Sequence, residues 1–212
     1  MSQDNTSEKL PPRWLRPIFV VSQSDQSFLK YTDQLSDLWK TYIVQWKAVE
    51  SIDYLVWLFK EKIAKTCQLT DEELRLADAH VALWRDCVRR KKAMFIVSDT
   101  SRFSPDMPDV LITLEQTLKR MKNANIQFDF LHILHESKDT PKQYVTNYVE
   151  QPNIVIPSGI SKLDAYVISP RGAAFLLGGV TPFEQPIGVY VQHRLEQDKT
   201  GQFRCYAVYP SL

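Results

Sequence analysis

The sequence predicts an α/β fold, a single mostly parallel sheet flanked by helices on both faces. Two observations carry that expectation. Over residues 17–134, short β-branched and aromatic runs alternate with stretches whose apolar residues recur every three or four positions, the pattern of strand–helix–strand crossovers. The chain has 212 residues, 44% hydrophobic and 24% charged, enough for one well-filled core and too apolar for wholesale disorder.

The elements follow in order. Residues 1–13 are polar, contain Pro11-Pro12 and lack periodicity, so they read as a flexible tail before a single domain spanning 14–212. Pro17 to Val21 has the length of a buried strand and runs into the polar Ser22-Gln23-Ser24-Asp25 turn, which can cap a helix over about residues 26–38. A second strand is expected at 42–49 and a helix at 54–66. Thr70-Asp71-Glu72-Glu73 is a capping-box signature, because Thr at the N-cap and Glu three residues on satisfy each other's backbone donors. Leu74, Ala77, Val81, Trp84 and Val88 form the stripe of that helix, which ends on Arg89-Arg90-Lys91-Lys92, cations suited to the negative end of a helix dipole. A buried strand at 93–97 then runs into Ser98-Asp99-Thr100-Ser101. A helix at 108–122, a strand at 128–134 and short strands near Ile154 and Tyr166 follow. Ser169-Pro170 starts a short helix that Gly178-Gly179 ends.

Charge and cysteines narrow the function classes. Lys+Arg 26 against Asp+Glu 25 leaves +1, so no global field draws the chain to nucleic acid or anionic lipid. Any such contact needs a local patch, for which the candidates are Arg13, Arg16, Arg89, Arg90, Lys91 and Lys92. Cys67, Cys87 and Cys205 are odd in number and widely spaced, which argues against a disulfide framework or a zinc site and for a reducing cytoplasmic setting. No stretch is long and apolar enough for a membrane span, and the first residues do not read as a signal peptide. There is no glycine-rich phosphate loop, GxSxG or HExxH, and only six glycines in all.

In open α/β sheets ligands bind beyond the carboxyl ends of the strands. Those ends are Ser22-Gln23-Ser24, Glu50-Ser51 and Ser98-Asp99-Thr100, all polar, so Ser22, Gln23, Ser24 and Glu50 become candidate donor-binding residues. His80 lies beside the stripe Leu76, Leu83 and Cys87 and reads equally as a core histidine or a ligand contact. Asp99 reads either as the start of a turn or as a metal ligand. Arg171, in the first turn of a short helix, reads as a phosphate contact or as a solvated arginine. His132 and His135 are three apart in an expected strand, on opposite faces, which does not make a metal pair. Trp39, Trp46, Trp57 and Trp84 read as core, and Trp14, between Arg13 and Arg16, as a partner platform or an edge cover.

Several segments resemble glycosyltransferase family 25, the lipopolysaccharide- and collagen-type galactosyltransferases. Ile18 to Val21 with Trp46-Lys47-Ala48-Val49-Glu50-Ser51 is similar to the family's opening strand and Ala-Val-Asp-Gly segment. Leu76 to Trp84 is similar to its Leu-Ser-His, Leu-Trp helix, and Met94 to Phe103 lies where its acidic Leu-Glu-Asp-Asp motif falls. Asp164 to Ala173 matches its His-Ala-Tyr, Ile-Ser, Gly-Ala stretch, and Gln185 to Tyr190 its Pro-Val-Asp segment. The resemblance implies a GT-A type fold, a nucleotide-diphosphate sugar donor, a hydroxyl acceptor, and Mn²⁺ or Mg²⁺. The acceptor would be a saccharide, a glycolipid or a hydroxylated nucleic-acid base. It makes Asp99 the metal ligand and Asp164 the catalytic residue. The departures fall on the chemistry: the acidic cluster is reduced to Asp99, the histidine before Ala-Tyr is Asp164, and the last aspartate is Gly188. Either metal and donor are held differently, or the chain is a catalytically inactive relative that binds without transferring.

Overall fold

The structure is a computed structural model that describes residues 17–33, 40, 42–47, 68–101, 107–133, 142–146, 152–160, 162–198 and 200–209. The expected tail, the 54–66 helix, Glu50, Arg13, Arg16, Trp14, Trp39, Trp57, Cys67 and His135 lie outside those residues.

Eight strands form one sheet in the order β2-β1-β3-β7-β4-β8-β6-β5. They are β1 (Ile18–Ser22), β2 (Ile43–Lys47), β3 (Met94–Ser98), β4 (Phe130–His132), β5 (Gln143–Tyr144), β6 (Asn153–Ile156), β7 (Ala165–Ile168) and β8 (Cys205–Tyr209). Five described helices flank it: α1 (Asp25–Thr32), α2 (Asp71–Arg90), α3 (Met107–Asn123), α4 (Pro170–Leu177) and α5 (Ile187–Gln197).

The α/β class is as expected, but the sheet is mixed rather than mostly parallel. β2, β1 and β3 pair in parallel, as do β4 and β8. β7 lies antiparallel to both β3 and β4, and β6 antiparallel to β5 and β8. Parallel neighbours require a crossover of a dozen residues or more, and the alternation that signalled crossovers stops after β4. Among the described residues no helix stands between β6 and β7, and β7 is free to pair in the opposite sense, whereas α4 and α5 precede β8, which lies parallel to β4.

Alternation along the central strands divides the core. Phe19, Val21, Met94, Ile96, Tyr166 and Ile168 face α2, α4 and α5, with Trp84 and Leu83 of α2 fully buried among them. Ile18, Val20, Phe95, Val97, Ala165 and Val167 face Tyr31 of α1 and Leu114, Leu118 and Met121 of α3. A period of two is what lets one short apolar run serve both layers. Trp84 is thus core, and Trp46 packs edge-on against Phe19 with ring centroids 6.2 Å apart. Cys87 and Cys205 are buried free thiols.

The capping box on α2 forms as the sequence implies. The Thr70 hydroxyl accepts from Glu73 N at 3.2 Å, and Glu73 Oε2 accepts from Thr70 N at 2.8 Å. Replacing Thr70 with Ala is expected to lower stability by about 1 kcal/mol, read as a lower urea midpoint at unchanged m-value; an unchanged midpoint would remove the cap from the account. At the other end, Arg89 and Arg90 both pair with Asp86, the latter at 2.6 Å. Two members of the basic cluster are therefore engaged within their own helix, which fits the dipole reading better than a nucleic-acid patch.

A candidate functional site at the strand switch point

β1 has β2 on one side and β3 on the other, so the chain leaves β1 in one direction along the sheet and returns in the other. Such a switch point opens a crevice at the carboxyl ends of the two strands. A cavity of about 290 Å³ lies there, its walls including Gln23, Glu72, Leu76, His80, Asp99, Asp164 and Gly188. Its volume is at the lower end for small-molecule sites.

Four segments build it. β1 ends at Ser22 and presents Gln23; β3 ends at Ser98 and presents Asp99 and Thr100. The two ends are tied together, because Asp99 N donates to Val21 O at 3.0 Å and Gln23 N donates to Asp99 Oδ2 at 3.3 Å. β7 runs opposite to β3 with Ala165 beside Val97, so the residue before it, Asp164, arrives at the same edge. Asp164 O accepts from Ser98 N at 2.7 Å and from the Ser101 hydroxyl at 2.5 Å. The first turns of α2 supply Glu72, Leu76 and His80, spaced four apart and hence on one face. Gln23 Nε2 donates to Glu72 Oε1 at 2.5 Å. The N-terminus of α5, Pro186 to Gly188, closes the wall, and no side chain caps it.

The chemistry is predominantly acidic. Glu72, Glu73, Asp99 and Asp164 line the cavity with Lys162. Glu73 is held in the capping box and Glu72 by Gln23. Among the described residues no group of three or more His, Cys, Asp or Glu side chains is placed to hold a metal ion. The donor set does not make a protein-only cage. It does suit Mg²⁺ or Mn²⁺ arriving with a diphosphate, which needs one or two carboxylates and takes its other ligands from phosphate and water.

His80 is fully buried at the inner wall. Its Nδ1 lies 2.7 Å from the Tyr166 hydroxyl, that hydroxyl accepts from Trp84 Nε1 at 3.0 Å, and the His80 Nε2 has no partner among the described residues. Burial pushes its pKa down to about 3. In the unfolded chain the imidazole takes a proton near pH 6.5. The folded state therefore holds its full advantage above that pH and loses it as pH falls, by up to about 1.4 kcal/mol per unit below about 6.5. Melting curves from pH 7.5 to 4.5 should show this slope in the wild type and a shallower one in His80→Gln; equal slopes would reject it.

Of the residues singled out from sequence, Gln23, His80, Asp99 and Asp164 meet in this cavity. Three others do not. Ser22 is buried and its hydroxyl accepts from Gln45 Nε2 at 3.0 Å. Ser24 caps α1, its hydroxyl accepting from Ser27 N at 3.1 Å. Arg171 follows the far end of β7, on the opposite edge of the sheet, where its Nε donates to Asp129 Oδ1 at 2.7 Å and its Nη2 to Gln202 O. Glu72, Lys162 and the α5 terminus were missed. The four-residue spacing of Glu72, Leu76 and His80 is a signal for Glu72 alone, and no spacing in the sequence marks Lys162. α5 was invisible because it starts at a proline with no side-chain cap and carries Gly188 and Val189 in its first turn. No protein-family model matches the chain, and no match is found among curated proteins.

Proposed function

We propose that the cavity binds a nucleotide-diphosphate sugar and that the protein transfers the sugar to a hydroxyl acceptor. The observation that carries this is the convergence of Gln23, His80, Asp99 and Asp164 from four distant segments at the switch point between β1 and β3. These positions include Asp99 and Asp164, which the resemblance to glycosyltransferase family 25 marks as chemical, and the α/β class of the sheet is compatible with the fold that resemblance implies. The uncapped N-terminus of α5 and Lys162 supply positive potential for a diphosphate. Asp99 projects from the strand end where a diphosphate would lie, and Asp164 stands across the same edge.

In this scheme Asp164 accepts the proton of the acceptor hydroxyl as its oxygen bonds the anomeric carbon. The bond from that carbon to the diphosphate breaks, and the electron pair leaves on the phosphate oxygen. Mg²⁺ or Mn²⁺, when bound with the donor beside Asp99, would offset the charge that develops there. Gln23 holds Asp99 through its backbone N–H and so fixes the carboxylate's position.

A second reading is favoured by one observation: at the position where the resemblance has an aspartate, Gly188 brings no side chain to the wall. On that reading the cavity binds a nucleotide sugar without transferring it. Calorimetric titration with UDP-galactose, UDP-glucose and GDP-mannose, with and without Mn²⁺, tests both. Donor binding together with slow release of free nucleoside diphosphate supports transfer chemistry. Binding without release supports the second reading, and no binding by any donor rejects both.

A further inference from the structure

The geometry points to His80 as a tautomer-locked, uncharged hydrogen-bond donor that reads a sugar hydroxyl at the inner end of the cavity. This assigns a specificity role within the proposed nucleotide-sugar site and rests on that reading for the class of ligand.

The lock follows from counting protons. Trp84 Nε1–H can only donate, and its acceptor is the Tyr166 hydroxyl at 3.0 Å. Tyr166 has one proton of its own to give, and His80 Nδ1 lies 2.7 Å away. If Nδ1 carried a proton, the Tyr166 hydroxyl would accept from both neighbours, its own proton would have no acceptor, and Nε2 would be left bare as well. With Nδ1 as the acceptor, every contact from Trp84 through Tyr166 to Nδ1 is satisfied and a single group, Nε2–H, is left unpaired. The imidazole proton then sits on Nε2, which is buried and has no partner among the described residues.

A buried N–H without an acceptor is rare in folded proteins and calls for a ligand or an ordered water. His80 forms part of the cavity wall, and a ligand seated against it would supply the missing acceptor. Because burial keeps the ring neutral, it brings no charge to attract phosphate. The carboxylates Glu72 and Asp164 of the same cavity likewise disfavour an anion next to the ring, whereas the α5 terminus and Lys162 favour one on their part of the wall. A hydroxyl suits the inner end. Its oxygen accepts from His80 Nε2–H while its proton goes to a carboxylate.

The test uses the full-length protein labelled with ¹⁵N-histidine. Long-range ¹H–¹⁵N spectra should show His80 protonated at Nε2 and bare at Nδ1, unchanged from pH 8 to 5.5. Adding UDP-galactose, UDP-glucose or GDP-mannose should move the Nε2 resonance for at least one donor, and UDP or GDP alone should not. Tyr166→Phe should mix the tautomers and weaken that donor by about tenfold, with less than about a twofold change for the bare diphosphate. A proton on Nδ1, an equal response to the bare diphosphate, or equal weakening of both ligands would overturn the assignment. If Tyr166→Phe does not fold, the wild-type spectra decide. Donors that bind while Nε2 stays silent overturn the role of His80 and leave the nucleotide-sugar reading standing, whereas donors that do not bind at all overturn both.

Discussion

Replacing Asp99 with asparagine is expected to lower sugar transfer by about 10²- to 10³-fold while leaving the fold intact. The magnitude is that of removing one preorganised electrostatic contact from a developing charge. The structure explains why stability should be spared. The contacts that hold the turn use Asp99 N, which donates to Val21 O, and one side-chain oxygen, which accepts from Gln23 N. Asparagine keeps both, since its amide oxygen still accepts and its backbone is unchanged. What it loses is the negative charge at the carboxyl edge of β3. Donor turnover and melting temperature measured on one preparation separate the outcomes. A large loss of turnover with a shift under about 2 °C supports the role, whereas full turnover, or a loss that merely follows unfolding, removes Asp99 from the chemistry.

Gly172→Ala is expected to be the most damaging small substitution, lowering stability by about 3 kcal/mol. A Cβ at this position would stand 2.2 Å from Asp129 O and 2.8 Å from Asp129 C. Those are backbone atoms with no rotamer to escape into. Nor can the Asp129 segment retreat, because its backbone oxygen accepts from Ser169 N at 2.9 Å. Its buried carboxylate accepts from Arg171 Nε at 2.7 Å and from Arg204 N at 2.8 Å. Burial alone would raise the pKa of Asp129; the hydrogen bonds from Arg171 and Arg204 outweigh it and hold the carboxyl below its usual range. α4, β4 and the approach to β8 are thus fastened at one point. For a chain of this size the expected loss is about 10 °C in melting temperature; a drop under about 2 °C would show that the close approach is not a real constraint. Because the damage lies on the sheet edge opposite the cavity, the fraction that folds should bind donor normally.

Arg171 illustrates where local reading stops. The Ser169-Pro170 start of its helix is visible in sequence because capping chemistry is confined to four consecutive residues, and the structure has it, with the Ser169 hydroxyl accepting from Gly172 N at 3.0 Å. Whether the guanidinium meets a ligand or a carboxylate depends on Asp129, 42 residues away in the chain. The same division runs through the site. Gln23 and Asp99 could be picked out because a buried strand followed by polar residues puts those residues at a sheet edge. The partnership of His80 with Tyr166 spans 86 residues and that of Trp84 with Tyr166 spans 82, and no spacing rule reaches so far.

The amino-acid order by itself determined the elements whose causes are local: the Thr70 capping box, the two-period runs of β1 and β3, the Ser169 cap, and the crossovers that make the β2-β1-β3 portion parallel. The tertiary structure alone decided the direction of β7. Its insertion between β3 and β4 brings Asp164 to the ligand edge and Arg171 to the opposite one, and sets Tyr166 beneath His80. The physical reason is that strand pairing satisfies the same backbone groups in either direction. Its sense is chosen by which faces the whole set of strands and helices can bury together, and not by the residues of the strand itself.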